Sequence, residues 1–399
     1  MPWKETNVLE ERMKFISSYL DGEWTMVELC RAFNISRKTG YKWLDRYRNQ
    51  GLDGLHDESR APLSHMNQTP DDVVELLLAC RKDHPRWGPK KLIPALEKRY
   101  PGIRCPAKST AGDILKRHGM VRPRRRRRRA TPATKPFKHV TDPNDVWAVD
   151  FKGSFRVGDG RRCQPLTVTD SLSRFALLSK ALSNQRADTV KPRFEALFKE
   201  RGMPYRIRSD NGAPFASVGL GGLTSLSAWW LKLGIRLERI KPGNPQENAR
   251  HERFHWTLKQ ETAMPPRASI RAQQVAFTKF LREYNYDRPH ESLGDKTPGE
   301  FYCESERIYP GRAPEPEYPG HFEVRRVKRN GFIKWHNEFV YLTEALCRET
   351  IGLEQISDRH YRVFFCDLEL GLLDWDTRKL LRNKVLRYRE SNQKGGKDG

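Results

Sequence analysis

The chain has 399 residues, a formal net charge of +24 and a sequence pI of about 9.8. Its length allows roughly two to four domains, and its charge favours a polyanionic partner, with nucleic acid first among the candidates. No run approaches about 18 apolar residues and the first residues are charged, so neither a membrane span nor a signal peptide is expected.

The number and spacing of the cysteines indicate whether disulfides or a zinc site are expected. There are seven, an odd number, at scattered positions and without a CxxC pair. They predict reduced core thiols in a cytosolic protein, with no structural zinc.

Residues 1–60 are predicted to form a helix-turn-helix domain. Thr25 and Ser36 are each placed to cap the helix that follows, and a helical apolar period precedes them. The third helix would bury one face and present Lys38, Tyr41 and Lys42 to the major groove of DNA. The alternative is a small helical bundle with a solvated charged face.

Residues 66–122 are predicted to form a second helix-turn-helix domain, because Thr69-Pro70-Asp71-Asp72 opens another set of three helical segments. Residues 123–139 form a basic linker with too little apolar content to fold alone. We expect it to lie along phosphates, although a free solvated tether fits the same pattern. The linker arginines expected to bind DNA are Arg124, Arg125, Arg126, Arg127, Arg128 and Arg129.

Residues 140–305 change to a mixed α/β pattern, in which short strand-like runs alternate with helices. Asp150 ends one strand-like run and Asp210 ends another. The carboxyl end of a strand is where ligands collect in α/β sheets. The two aspartates are therefore candidate site residues.

A helix is predicted over 243–261, with Asn244 as its N-cap. One of its faces carries four polar or aromatic side chains at helical spacing: Asn248, Glu252, Trp256 and Lys259. Residues 320–391 return to strand-like runs and are predicted to form a small β-barrel of the SH3-like kind. The fold class expected is a multidomain α/β protein with helical N-terminal units.

Three acids from distant parts of the chain suit one chemistry. Mg²⁺ prefers carboxylates, waters and substrate oxygens as ligands. Two such ions placed on a phosphodiester assist both the attacking and the leaving oxygen. Asp150, Asp210 and Glu252 are accordingly candidate catalytic residues and metal ligands, with Mg²⁺ as the cofactor and Mn²⁺ as an alternative.

The same helix contains a competing motif. His251-Glu252-Arg253-Phe254-His255 reads as H-E-x-x-H, the zinc protease signature. The extended form of that motif would need Gly and His at the positions of Leu258 and Glu261. We therefore interpret His251 and His255 as facing DNA or solvent.

Four segments carry a family resemblance: VWAVDFKG, IRSDNGAPF, PGNPQENARHERFHWTLKQE and YNYDRPHESLGDKTPGEFY. Together they resemble the DDE transposases of bacterial insertion sequences, which have an RNase H-like, retroviral-integrase-type core. The resemblance implies that Asp150, Asp210 and Glu252 bind the metals, and that Asn248 and Lys259 contact DNA, Lys259 at the transferred end. It also implies a homodimer or higher homo-oligomer on DNA, and a bacterial cytoplasmic protein associated with the nucleoid.

One departure concerns the third acid. Forty-one residues separate Asp210 from Glu252, more than is usual in the family, whereas 36 separate Asp210 from Glu247. Glu252 is preferred, because Glu247 has a structural task as the capping glutamate. The expected function is binding of terminal inverted repeats, Mg²⁺-dependent cleavage at 3′ ends and DNA strand transfer. The alternative is a catalytically silent DNA-binding regulator derived from a transposase.

Overall fold

The structure is a computed structural model that describes residues 7–59, 68–121, 140–240 and 249–389. The chain divides into two compact units, Met1–Gln68 and Thr69–Gly399. Within the described ranges, no helix is both long and apolar enough to cross a bilayer. All seven cysteines are free thiols, but Cys303 is exposed, so the prediction of core thiols is wrong for that residue.

The described part of the first unit contains three α-helices, α1 (Val8–Leu20), α2 (Met26–Ala32) and α3 (Arg37–Gln50). The predicted caps are present, because the side chains of Thr25 and Ser36 accept backbone hydrogen bonds at the starts of α2 and α3. Close packing between these helices depends on Gly40, where a Cβ would lie 2.6 Å from the Cys30 sulfur. The predicted helix-turn-helix arrangement is therefore formed.

The second unit begins with α4 (Asp71–Asp83), α5 (Pro89–Arg99) and α6 (Lys108–Arg117). These helices lie against the segment 283–300 of the α/β core. Lys90 pairs with Glu291 at 2.7 Å and Lys108 pairs with Asp295 at 2.6 Å. His84 Nδ1 lies 2.9 Å from Glu283 Oε1. Several basic side chains of the second helical set are thus engaged by acids of the same chain.

The α/β core is built on a six-stranded sheet in which β2, β3, β1, β5 and β6 are neighbours in that order and β4 pairs with β3. β1 runs antiparallel to β3 and parallel to β5, and β5 runs parallel to β6. Its elements are β1 (Val146–Phe151), β2 (Phe155–Arg156), β3 (Arg162–Asp170), β4 (Ala176–Leu182), α7 (Ala187–Arg201), β5 (Arg206–Ser209), α8 (Ser225–Lys232), β6 (Arg236–Arg239), α9 (Ala249–Thr262) and α10 (Ile270–Arg282).

The C-terminal strands do not close into a barrel, which corrects the sequence prediction. β7 and β13 are the two unpaired edges of an open five-stranded sheet in the order β13-β12-β11-β10-β7, and β8 and β9 form a separate hairpin. The strands are β7 (Glu323–Arg326), β8 (Phe332–Trp335), β9 (Glu338–Tyr341), β10 (Thr350–Gln355), β11 (His360–Phe365), β12 (Leu368–Asp374) and β13 (Lys379–Tyr388).

The open sheet buries its apolar side chains against the α/β core instead of around its own axis. A single apolar cluster includes Trp230 of α8 and Leu237 of β6 together with Trp335 and Leu370 of the C-terminal strands. The Tyr388 hydroxyl accepts a hydrogen bond from Leu237 N at 2.6 Å and donates one to Leu237 O at 3.0 Å. The α/β core thus covers the apolar face of the open sheet, which in a closed barrel would be covered by the barrel's own strands.

Candidate active site

Two of the predicted acids stand side by side on adjacent parallel strands. Val149 of β1 is opposite Ser209 of β5, and Asp150 and Asp210 are the next residues along their chains. Both carboxylates therefore come to the same edge of the sheet. Asp210 has room there because position 212 is glycine, where a Cβ would lie 3.0 Å from Asp210 Oδ2.

The third predicted acid lies on α9. Glu252, Trp256 and Lys259 are exposed on this helix, while Phe254 and Leu258 are 2% and 1% exposed. The other predicted DNA contacts, Asn248 and Arg124–Arg129, lie outside the described residues. The predicted N-cap Asn244 and the competing acid Glu247 also lie outside them. On α3, the predicted DNA contacts Lys38, Tyr41 and Lys42 are exposed.

The three acids influence one another electrostatically. The pKa of Asp150 is raised to about 7, first by burial and then by the charges of Asp210 and Glu252, against a backbone hydrogen bond from Phe151 and the charge of Lys152. Among the residues that the structure describes, no three His, Cys, Asp or Glu side chains lie close enough together to hold a metal ion. Asp150 and Asp210 therefore share one edge of the sheet, and the charge of Glu252 acts on Asp150, but the three acids do not form a closed set of ligands.

A buried hydrogen-bond network lies directly behind Asp150. His251 Nε2 lies 2.7 Å and His255 Nε2 lies 2.6 Å from the hydroxyl oxygen of Thr167, and His251 Nδ1 lies 2.7 Å from that of Thr169. The Thr167 hydroxyl also donates to the backbone carbonyl of Asp150 at 3.0 Å. The network thus connects two histidines of α9 to the strand that carries the first acid.

Proton counting assigns the tautomers of this network. A hydroxyl has one proton to donate and two lone pairs. Because Thr167 donates to the Asp150 carbonyl, both histidines must donate their Nε2 protons to Thr167. Each Nδ1 is then an acceptor, which for His251 is met by the Thr169 hydroxyl.

Both imidazoles are neutral. Burial lowers the pKa of His251 to about 3 and also lowers that of His255, to which His251 and Lys152 contribute. His255 Nδ1 lies 3.7 Å from Asp150 Oδ2, within the range of an ion pair. The contact is nevertheless not a salt bridge, because an imidazole with so low a pKa carries no charge at neutral pH.

The prediction that His251 and His255 face DNA or solvent is therefore wrong: they are 1% and 4% exposed. The H-E-x-x-H spacing does bring both Nε2 atoms to one point, but the Thr167 hydroxyl occupies it. The helical spacing of the buried positions could have predicted that both histidines are buried. Residues 251, 254, 255 and 258 form one buried stripe, so the histidines belong to the apolar face.

Family models match most of the described domains. The helix-turn-helix domain model matches residues 11–62 and the homeodomain-like domain model matches residues 39–115. Two integrase core domain models match residues 140–245 and 233–298. Between them the integrase core matches contain Asp150, Asp210 and Glu252.

Two proteins of bacterial insertion elements are similar to about half of this chain. The 39.2 kDa protein of insertion element IS476 from Xanthomonas euvesicatoria is 27% identical over 226 residues, which are 56% of this chain and 63% of the relative. The 31.7 kDa protein of insertion element IS407 from Burkholderia multivorans is 28% identical over 182 residues, 45% of this chain and 63% of the relative. The matches therefore span somewhat under two thirds of either relative.

Solved structures with some likeness are retroviral. The HTLV-2 integrase catalytic core domain in complex with magnesium has a TM-score of 0.32 at 16% identity, covering 40% of this chain and 97% of that one. A simian T-cell lymphotropic virus intasome has a TM-score of 0.35 at 16% identity, covering 79% and 99%. The family models and the insertion-element relatives together show a chain that contains segments matching helix-turn-helix and integrase core domains and that is similar to proteins of two bacterial insertion elements.

Proposed function

We propose that the protein is a DNA transposase that binds the terminal inverted repeats of an insertion sequence, cleaves at the 3′ ends and transfers them to target DNA. The observation that carries this proposal is the placement of Asp150 and Asp210 at the ends of two adjacent parallel strands. The influence of Glu252 on the pKa of Asp150 brings the helix acid into the same electrostatic environment.

The donor set fits a hard divalent cation. Asp150, Asp210 and Glu252 would hold Mg²⁺ or Mn²⁺. The pKa of Asp150 is raised first by burial and then by the charges of Asp210 and Glu252, and a cation would relieve that repulsion. Bound there, two such ions would stabilise charge on a phosphodiester and lower the pKa of an attacking hydroxyl. The neutral His251–Thr167–His255 network would hold the Asp150 backbone in place.

The other predicted site residues would bind DNA. The exposed Lys38, Tyr41 and Lys42 of α3 would read the terminal repeat, and Lys259 on α9 would contact the transferred end. Arg124–Arg129 would add affinity without specificity, through phosphate contacts. Two ends must be cut together, so we infer a homodimer or a higher homo-oligomer on DNA.

The test uses the full chain, Mg²⁺ and a duplex made from the DNA that flanks its own gene. Asp150→Asn, Asp210→Asn and Glu252→Gln should each reduce strand transfer by at least about 100-fold while the duplex is still bound. Glu247→Gln is the matched control for the third acid and should retain activity. Strand transfer that survives in all three variants would overturn the catalytic assignment and favour a silent DNA-binding regulator.

A further inference from the structure

A cavity of about 70 Å³ lies on the opposite side of α9 from its exposed Glu252 face. Its walls come from α5, from β1, from the end of β3 and the residues after it, from α9 and from the segment 284–290. A single buried water needs roughly 10–15 Å³ of such space, so the cavity has room for a group the size of an oxyanion. None of the three predicted carboxylate ligands lines it.

The cavity wall is strongly cationic. It carries one lysine and four arginines: Lys91, Arg174, Arg250, Arg253 and Arg288. The Asp170 carboxylate also lines the wall, but it accepts hydrogen bonds from the backbone of Asn144 at 2.8 Å and of Ser173 at 2.7 Å. Glu261 neutralises part of this charge by pairing with Arg288 at 2.5 Å. Among the side chains that the structure describes around the cavity, the balance of charge is positive.

Two buried polar atoms of the wall lack hydrogen-bond partners among the described residues. They are the hydroxyl oxygen of Ser171, 4% exposed, and Nε2 of His290, 9% exposed. Buried polar atoms are normally satisfied, and an unpaired one costs about 1–3 kcal/mol. Both atoms can donate a proton to an oxyanion, because burial lowers the pKa of His290 to about 3 and leaves a neutral imidazole with one N–H.

The lowered pKa of Lys91 reflects its burial and the repulsion between the positive charges of the wall. The pKa of Lys91 is lowered to about 7, first by burial and then by the charges of Arg288 and Arg253, against the charge of Glu261. An anion in the cavity would relieve this repulsion. Four arginines around one space, with a lysine that loses part of its charge there, are costly to hold together unless something negative occupies the space.

We propose that this cavity binds a phosphate group. Arginine and lysine side chains with two further donors around an enclosed space match the acceptors of a tetrahedral oxyanion. The phosphate could belong to a DNA strand or to a free phosphate or nucleotide. The first source rests on the proposed function, whereas the second does not.

The first measurement uses inorganic phosphate with the full chain in EDTA, at ionic strength held constant with sodium chloride. Titration calorimetry and thermal unfolding should show saturable binding and a rise in Tm with phosphate concentration. Lys91→Met should weaken phosphate binding at least tenfold and should raise the Tm of the phosphate-free protein. Ser171→Ala, which changes one unpaired hydroxyl and leaves the charge intact, should weaken phosphate binding several-fold.

Lys90→Met is the matched control. It removes the same charge from the neighbouring position of α5, where Lys90 pairs with Glu291 outside the cavity, and should leave phosphate binding unchanged. The second measurement is binding of a DNA duplex in EDTA at several salt concentrations. If the phosphate belongs to DNA, Lys91→Met weakens this binding and lowers its salt slope by about one unit relative to Lys90→Met.

The outcomes separate the two sources and the proposal itself. Loss of DNA affinity specific to Lys91→Met supports a strand phosphate. Loss of inorganic phosphate binding with unchanged DNA affinity supports a free phosphate or nucleotide. If Lys91→Met and Ser171→Ala match Lys90→Met in both measurements, the cavity is not a phosphate site. Neither measurement involves Mg²⁺ or strand transfer, so a failure of the catalytic proposal would not affect this result.

Discussion

At the scale of single residues, the surroundings of Asp150 oppose its negative charge. Its pKa is raised from 3.8 to about 7 in the folded chain, so the folded carboxyl holds its proton more tightly than the unfolded one. The resulting penalty is absent below about pH 4 and complete above about pH 7. Removing the charge should therefore stabilise the fold increasingly between about pH 4 and pH 7, and to the full extent above about pH 7.

We predict that Asp150→Asn raises the free energy of unfolding by roughly 1–3 kcal/mol at pH 8 in EDTA, and by almost nothing at pH 4. Thermal unfolding at both pH values measures this difference. Asp188→Asn is the control, because the Asp188 side chain is 61% exposed and the change should be small at either pH. A variant that is no more stable than the wild type at pH 8 would contradict the assigned environment of Asp150.

The hydroxyl of Thr167 supports two imidazoles at once, so its loss should be costly. Thr167→Val leaves both Nε2–H groups without their acceptor, and should lower the free energy of unfolding by about 2–4 kcal/mol. Chemical denaturation measures the change. Thr278→Val is the matched control, since the exposed Thr278 hydroxyl donates only to the Gln274 carbonyl, and its cost should stay below about 0.5 kcal/mol. Equal losses of stability in the two variants would contradict the inferred hydrogen bonds from both imidazoles to Thr167.

At the scale of single residues, sequence reasoning found the positions of two acids in the sheet because a backbone rule applied to them. A strand that ends in an acid led to Asp150 and Asp210, because all parallel strands of a sheet deliver their carboxyl ends to one edge. It did not identify Thr167, because a threonine within an apolar strand has no local signal of its long-range partners. The basic cavity was also missed, since Lys91 and Arg288 are brought together by tertiary packing alone.

At the scale of secondary-structure elements, close approach of α2 and α3 depends on the absence of a side chain at position 40. Gly40→Ala would place a methyl group 2.6 Å from the Cys30 sulfur, which forces the helices apart. We predict a loss of about 1–3 kcal/mol in the stability of the first unit, despite the higher helix propensity of alanine. Amide hydrogen exchange of α2 and α3 is the measurement.

Gly102→Ala is the control for that change, because a Cβ at Gly102 meets no atom within 4 Å. Its effect on hydrogen exchange should be negligible. If α2 and α3 exchange no faster in Gly40→Ala than in the control, the inferred packing of the two helices would be wrong.

Elements with clear end signals were predicted well, and those defined by their partners were not. α2 and α3 begin at the predicted Thr25 and Ser36 caps. The two-residue strand β2 was not predicted, because so short a strand exists only through pairing with β3. The β-barrel prediction failed because strand periodicity reports which face is buried but not what covers it.

At the scale of the whole molecule, the second unit is continuous from the second helical set to the C-terminal strands. Its parts are connected by ion pairs on one side, such as Lys108 with Asp295, and by a shared apolar cluster on the other. The boundaries 66–122, 140–305 and 320–391 remain a prediction for this unit. They mark changes of sequence pattern, whereas packing has merged the parts into one compact body.

The Tyr388 contact has a consequence for solubility. β6 is the last strand of its sheet, and the phenol of Tyr388 takes up the donor and the acceptor of Leu237 that a further strand would otherwise use. An open strand margin can recruit another chain. Shortening the protein to end before Tyr388 should therefore convert a monodisperse sample into one that forms sheet-rich aggregates on concentration, visible by light scattering and amyloid dye fluorescence.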